Sequence, residues 1–234
     1  GPRPPRVRHD EAVPQRLTLT APNRTALRSI RETGLSAVLF GPIDRAMKLV
    51  EPSLEHLPSY AAGLATGWSP NNVTNVSAEQ LAAVRRDPSG FIDDLLRQGG
   101  TITLPDGTVA PKLPFIVRWM WDGDFCGSIS LRWQTGTDAL PPHVLGHIGY
   151  AVIPSKRGRG YASDALRQML IEARSVGLGR LEITTDPGNF ASQRIIERNG
   201  GTFVETFVNQ RYGPAPHLRY IIDLTPAETR DQTA

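Results

Sequence analysis

The run His147-Ile148-Gly149-Tyr150-Ala151-Val152-Ile153-Pro154, followed by Ser155-Lys156-Arg157-Gly158-Arg159-Gly160-Tyr161-Ala162, decides the reading of this chain. Its first half is short, apolar and β-branched, and it reads as a strand that ends before Pro154. Its second half is a turn with two glycines and three cations, Lys156, Arg157 and Arg159. Beyond the turn, Ala162, Ala165, Leu166, Met169, Leu170, Ala173 and Val176 recur at helical spacings, the stripe of a helix buried on one face. A strand, a glycine turn and a helix in that order leave the free amides of the helix start pointing outward. Those amides carry about half a positive charge and bind phosphate oxygens. Glycine lets the backbone come close and take positive φ, and the cations add full charges. A turn that only joins strand to helix is the plainer alternative, and the three flanking cations tell against it. The turn has no third glycine at dinucleotide-fold spacing and no Gly-Lys-Ser/Thr ending, so it is neither a dinucleotide fingerprint nor a Walker loop.

Downstream the pattern predicts a helix over 163–175, a strand over 181–185, a helix over 189–198 and closing strands over 202–208 and 218–224. Upstream, 115–121 and 125–133 flank Asp122-Gly123-Asp124 and read as a hairpin. Trp119, Trp121 and Trp133 are expected to pack on the sheet, with one lining a substrate cleft as the sharper alternative. Thr101–Leu104 leads into a Pro105-Asp106-Gly107 turn. Helices are expected over 53–66, over 77–87 with a Ser77/Gln80 capping box, and over 89–98. A short strand over 47–50 opens the domain. Thr20 to Gly34 reads as a helix, and Gly41-Pro42 as a break.

Arg157-x-x-Gly160-x-Ala162 resembles the Arg/Gln-x-x-Gly-x-Gly/Ala signature of the GNAT acetyltransferase superfamily. The strand before it is similar to that family's splayed strand, and Asn189-Phe190-Ala191-Ser192, then helix, then Gly200-Gly201, is similar to its second cofactor motif. The likeness covers about residues 115–224. Its flavour is that of the ribosomal-protein N-terminal acetyltransferases, through Gly160-Tyr161-Ala162-x-x-Ala165-Leu166 and Asn189-x-x-Ser192. The resemblance implies an α/β (α+β) GNAT fold: a central, mostly antiparallel twisted sheet with a splayed central strand pair and flanking helices. It implies an N-acetyltransferase moving an acetyl group from acetyl-CoA to a primary amine of a small molecule or a peptide N-terminus by direct attack. Ala151 and Val152 then line the pantetheine edge, with the Val152 amide polarising the thioester carbonyl. Lys156, Arg157, Gly158, Arg159, Gly160, Tyr161 and Ala162 hold the pyrophosphate, and Asn189 and Ser192 meet the pantetheine arm. Asn189 also suits a helix cap.

One position departs from the family. Its usual acid is a tyrosine seven residues after the asparagine, where this chain has Ile196, which cannot donate a proton. Ser192, one helical turn earlier on the same face, is the expected substitute acid. His147 is the first choice for the base, since imidazole relays protons near neutral pH, with Glu182 and Glu55 as alternatives. A lone strand histidine is more often structural. Deprotonating a lysine side chain at pH 7 costs about 4.6 kcal/mol and an α-amine about 1.4, so a weakly equipped site favours a low-pKa amine. Cys126 reads as a buried packing residue rather than a nucleophile.

Composition bounds the rest. The chain has 234 residues, 39% hydrophobic and 21% charged, which suits one cored domain plus an arm: a basic extension over 1–46 and the transferase domain over 47–234. No apolar run reaches the ~20 residues of a membrane helix. Gly1–Arg8 has no apolar segment and reads as no secretory signal; Gly1-Pro2 fits a tag-cleavage scar, which leaves a removed signal open. With one cysteine there is no disulfide framework or thiolate metal cluster, no metal is expected, and a cytoplasmic setting fits. Residues 1–46 carry eight arginines against four acids, a net +4, which leaves −1 for residues 47–234, so the chain's excess of +3 comes from the arm. A solvated or subunit-contact arm is the first reading, and nucleic acid, including charged tRNA, the alternative partner. A homodimer is a common family outcome. The rival to catalysis is a non-catalytic acyl-CoA-binding module, motivated by Ile196.

Overall fold

The computed structural model describes residues 46–104 and 107–225. The basic arm up to residue 45, the Thr20–Gly34 helix, the Gly41-Pro42 break and Pro105-Asp106 of the expected turn lie outside them. The strands are β1 (Lys48–Val50), β2 (Thr101–Thr103), β3 (Val109–Pro111), β4 (Phe115–Trp121), β5 (Phe125–Arg132), β6 (Ile148–Val152), β7 (Arg180–Thr185), β8 (Thr202–Val208) and β9 (Pro216–Asp223). The helices are α1 (Leu57–Ala65), α2 (Ser77–Arg86), α3 (Pro88–Leu96), α4 (Tyr161–Ser175) and α5 (Phe190–Arg198). Two antiparallel sheets, ordered β1-β4-β5-β6 and β7-β9-β8, carry the fold, and β2-β3 is a separate ribbon. This is the mixed α/β architecture expected from the motifs.

The first sheet is covered on both faces. On one, Cys126, Ile129 and Leu131 of β5 pack with Ala165, Leu166 and Met169 of α4, Leu181 and Ile183 of β7, and Ile196 of α5. Each large apolar side chain buried there contributes about 1.5–3 kcal/mol. Arg118 of β4 adds an ion pair to Glu172 of α4 at 2.9 Å. On the other face, Tyr60, Leu64, Trp68, Val84 and Ile92 from the α1–α3 side meet Trp119 and Phe125. Tyr60 stacks on Trp119 at 4.5 Å, Trp121 meets His56 edge-on at 4.4 Å, and Trp133 packs against the α4-side core. All three tryptophans therefore serve packing.

Two local expectations give way. α1 begins at Leu57 rather than Ser53, because Ser53 Oγ engages His56 Nδ1 at 2.8 Å in a turn that leaves Leu54 54% exposed. The Ser77/Gln80 capping box does not form. Asn75 Oδ1 takes both the Ser77 amide and hydroxyl, and Gln80 Oε1 accepts the Tyr60 phenol.

Candidate active site

β6 and β7 come together at one residue. The His147 carbonyl accepts from the Arg132 amide on the β5 side (2.9 Å), while its amide donates to Glu182 O on β7 (2.7 Å). The Glu182 amide, which can only donate, lies 2.9 Å from His147 Nδ1. Gly146 is pressed against the same strand: a Cβ there would sit 3.2 Å from Glu182 O and Thr184 N. Beyond this junction β6 and β7 belong to different sheets.

The register of β6 on β5 fixes what the parting exposes. Gly149 and Ala151 pair with Ser130 and Ser128, and Ile153 N bonds Cys126 O, so the odd-numbered residues face β5. The backbone groups of Tyr150 and Val152 therefore point the other way, along the free edge. Their carbonyls confirm it: Tyr150 O accepts from Asn72 Nδ2 (3.2 Å) and Val152 O from Arg157 Nε (3.1 Å). Ala151, expected at the edge, instead lies in the β5 ladder with its side chain in the α1-side core.

The glycine turn follows at the end of that edge. Gly158 and Gly160 have φ of 76° and 82°, and a Cβ at either would meet nothing within 4 Å. A left-handed backbone costs any other residue roughly 1–2 kcal/mol, so glycine belongs here for conformation. Gly160 is the N-cap of α4, and Asp164 N is the amide that reaches back to its carbonyl (3.1 Å). The amides before Asp164 have no acceptor one turn back, as at any helix start. Arg157 and Arg159 stand exposed around them.

Lys156 is placed differently from expectation. Its ammonium sits 2.7 Å from Asp122 Oδ2, and the Tyr161 phenol donates to the same oxygen at 2.7 Å. Burial works against the Asp122 carboxylate, but hydrogen bonds from Lys156 and Tyr161 outweigh it and hold the group at about 2. This trio ties the glycine turn to the β4–β5 hairpin, so Lys156 and Tyr161 position the cradle, and Arg157 and Arg159 are its unneutralised cations. Ala162 is buried under it.

His147 cannot be the base expected of it. It is 1% exposed, Nδ1 is held by the Glu182 amide, and the proton must then sit on Nε2, leaving no lone pair to receive another. Burial pushes its pKa below the ordinary value. It is the pin between the sheets. Of the alternatives, Glu182 is paired with Arg219 at 2.9 Å, and Glu55 is exposed ahead of α1.

On α5, Asn189 Oδ1 accepts from Ser192 N at 3.1 Å, the cap anticipated for it. Ile196 is fully buried in the core, where Gly201 leaves it room. Ser192 instead lies beside Tyr150. The Tyr150 hydroxyl is buried and completes no hydrogen bond. Burial drives that phenol above its usual range, and the Ser192 hydroxyl partly offsets the shift. The sequence reading missed Tyr150. Its place in strand alternation, one residue from Val152's neighbour and on the opposite face from Gly149, was the available signal. Cys126 is buried, and burial with the nearby Asp122 pushes its thiol up to about 12. Among the described residues no three His, Cys, Asp or Glu side chains gather as a metal site requires, and no helix is long and apolar enough to cross a membrane.

The class so defined is a mixed α/β protein whose two antiparallel sheets part beside the glycine-capped start of α4, flanked by Arg157 and Arg159. Residues 93–202 match the family model of the acetyltransferase (GNAT) domain. No curated protein matches it. Similar solved structures include Mycobacterium smegmatis RimJ in complex with CoA-disulfide (16% identity, 80% of this chain and 85% of that chain, TM-score 0.49). Others are a putative ribosomal-protein-serine acetyltransferase from Vibrio cholerae (15%, 79% and 98%, 0.48) and yncA, a putative acetyltransferase from Salmonella typhimurium with acetyl-CoA (17%, 80% and 99%, 0.46).

Proposed function

We propose that the chain transfers an acetyl group from acetyl-CoA to a primary amine of a small molecule or peptide N-terminus, with residues 47–234 as the transferase domain. The observation that carries this is the juxtaposition of the free β6 edge with the α4 N-terminus. An extended amide-bearing arm ending in a pyrophosphate matches those two features in that order. The amides from Gly158 to Ser163, with Arg157 and Arg159, hold the pyrophosphate, and the residue-152 edge orients the arm. The amides of Tyr150 and Val152 are the donors available to a thioester carbonyl.

Acetyl-CoA supplies an activated thioester. In the transfer the amine nitrogen bonds the carbonyl carbon, the carbon–sulfur bond breaks, the nitrogen loses a proton and the sulfur gains one. Tyr150 is the acid for the sulfur. Its hydroxyl is protonated at neutral pH, buried on the α4–α5 face of β6 with its proton uncommitted, and the Ser192 hydroxyl lies near it. With His147 and Glu182 engaged elsewhere, the amine arrives neutral, as a low-pKa α-amine can.

Calorimetry with acetyl-CoA and a thiol-release assay test this. The wild type should bind acetyl-CoA and release CoA in the presence of an amine. Arg157→Glu and Gly160→Asp should abolish binding, since each places negative charge in the cradle and the second adds backbone strain. Absence of binding by the wild type refutes the proposal. The buried Ile196 favours one second reading, a non-catalytic acyl-CoA-binding module, which predicts binding without thiol release on any amine.

A further inference from the structure

Arg132, the last residue of β5, is among the described residues a half-buried cation without a counter-charge. Among the described residues its guanidinium makes no ion pair and no hydrogen bond, and Arg132 N alone is engaged, with His147 O. The other half-buried cations differ. Arg118 faces Glu172, Lys156 faces Asp122, Arg219 faces Glu182 and Glu205, and Lys112 donates to Arg97 O and lies over the Phe115 ring. Burial lowers the Arg132 pKa, with Tyr212 partly opposing. A guanidinium stays charged regardless, and a charge partly removed from water gains from a partner.

Its position says what that partner is for. Arg132 pairs across the ladder with Phe115, and Val117 pairs with Ser130, so these share the α1–α3 face of the sheet. Arg132 Nη2 lies over Gly149 of β6, 3.3 Å from where a Cβ would stand, so any side chain there would displace it. Gly149 immediately precedes the outward amide of Tyr150. A groove of about 410 Å³ on this face is lined by Phe115, Val117 and Ser130 on the sheet, by Gln80, Phe91, Asp94 and Leu95 on the helices, and by Lys112; Phe115 is the ladder partner of Arg132. Arg132 thus shares a sheet face with that groove through its ladder partner Phe115, beside the strand edge where transfer is proposed and on the face opposite Tyr150.

We infer that the acceptor amine is anionic, its carboxylate or phosphate seated on the Arg132 guanidinium and its remainder lying in the Phe115–Leu95 groove. The planar fork of arginine matches both groups bidentately. The inference rests on the acetyltransferase reading and narrows its acceptor.

The test is steady-state thiol release with matched amines: amino acids against their carboxamides, phosphoethanolamine against ethanolamine, and short peptides beginning with Asp against the same beginning with Asn. The expected result is a KM roughly 10- to 100-fold lower for the anionic member, the worth of a charge-assisted pair. Which pair shows the preference separates carboxylate from phosphate. Arg132→Gln should raise KM for anionic amines by the same factor and leave neutral amines and acetyl-CoA unaffected, with Arg132→Lys recovering part of the loss. Equal use of charged and neutral amines by the wild type overturns the inference while leaving acetyl transfer standing, and needs no variant to fold. An Arg132→Gln loss equal for both members also overturns it. Absence of acetyl-CoA binding removes both this inference and the reading beneath it.

Discussion

Replacing Tyr150 by phenylalanine separates catalysis from stability, because the one polar neighbour of the hydroxyl, Ser192, completes no hydrogen bond of good geometry with it. A buried hydroxyl without a partner carries a desolvation penalty of about 1–3 kcal/mol, and its removal leaves the ring packing untouched. Tyr150→Phe should therefore match or exceed the wild type in stability, by up to about 4 °C in Tm for each kcal/mol regained in a chain of this size. Activity should fall. General acids contribute about 10²–10⁴-fold. The leaving thiol has an ordinary pKa of about 8.5 and needs modest help, which places the expected kcat loss near the lower end, about 100-fold. The pH dependence carries the sign. The phenol pKa is raised, so the wild-type acid is protonated throughout the neutral range and the deficit of the variant is constant there. It narrows only as the wild-type phenol ionises at high pH. Acetyl-CoA affinity should not change. The assay is thiol release at saturating substrates from pH 6 to about 10, beside a thermal melt. A kcat within about twofold of the wild type would falsify the acid role, and a fall of several degrees in Tm would show that the hydroxyl is bonded after all.

Two further substitutions probe the scaffold. Asp122→Asn should weaken the tie between the hairpin and the glycine turn. The carboxylate sits at about 2 in the folded protein against an ordinary 3.8, so its contribution is full above pH 4 and is lost as pH falls toward 2. Discounted for residual solvent access, that shift amounts to about 1–2 kcal/mol at pH 7. Urea denaturation at pH 7 and pH 3 should show the variant's deficit shrinking at the lower pH; an equal deficit at both would refute the ion-pair account. His147→Asn, which keeps a side-chain acceptor for the Glu182 amide, should retain stability and activity. His147→Ala, which strands that amide and opens a cavity, should lose about 2–4 kcal/mol. Inactive but stable His147→Asn protein would restore histidine as the base.

How far the sequence could carry this reading depended on the range of the interactions. The strand–glycine turn–helix unit and the α4 stripe are local, and periodicity alone defines them. The ion pair of Lys156 is not legible locally, because its partner, Asp122, lies 34 residues away on a hairpin that pattern places only as a hairpin. The Ser77/Gln80 box failed likewise: Tyr60, from another helix, takes the Gln80 side chain. His147 was visible as a titratable group in the right strand, but nothing local reveals that its ring fills the junction with Glu182. Arg132 is one arginine among many in the sequence; its place over Gly149 and the lack of a carboxylate partner among the described residues set it apart.

β6 explains why a missing helix acid need not end catalysis. Alternation along an extended strand sends successive groups in three directions. The Tyr150 side chain goes to the α4–α5 face, toward Ser192. Gly149 leaves the α1–α3 face open beneath Arg132. The Tyr150 and Val152 amides look along the free edge. An acid on one face and an acceptor approaching from the other would bracket a thioester held along this edge: nitrogen adds to the carbonyl carbon, and the tetrahedral intermediate so formed expels the thiol toward the acid that protonates it. A covalent relay through the protein has no comparable support. Cys126 is sealed in the core with its thiol pushed up to about 12, so it offers no thiolate at neutral pH. Ser192 has its backbone amide in the Asn189 cap and, with His147 locked by Glu182, no free base beside it. Direct transfer is therefore the economy that this strand permits, and it makes both substrates necessary in the cleft at once.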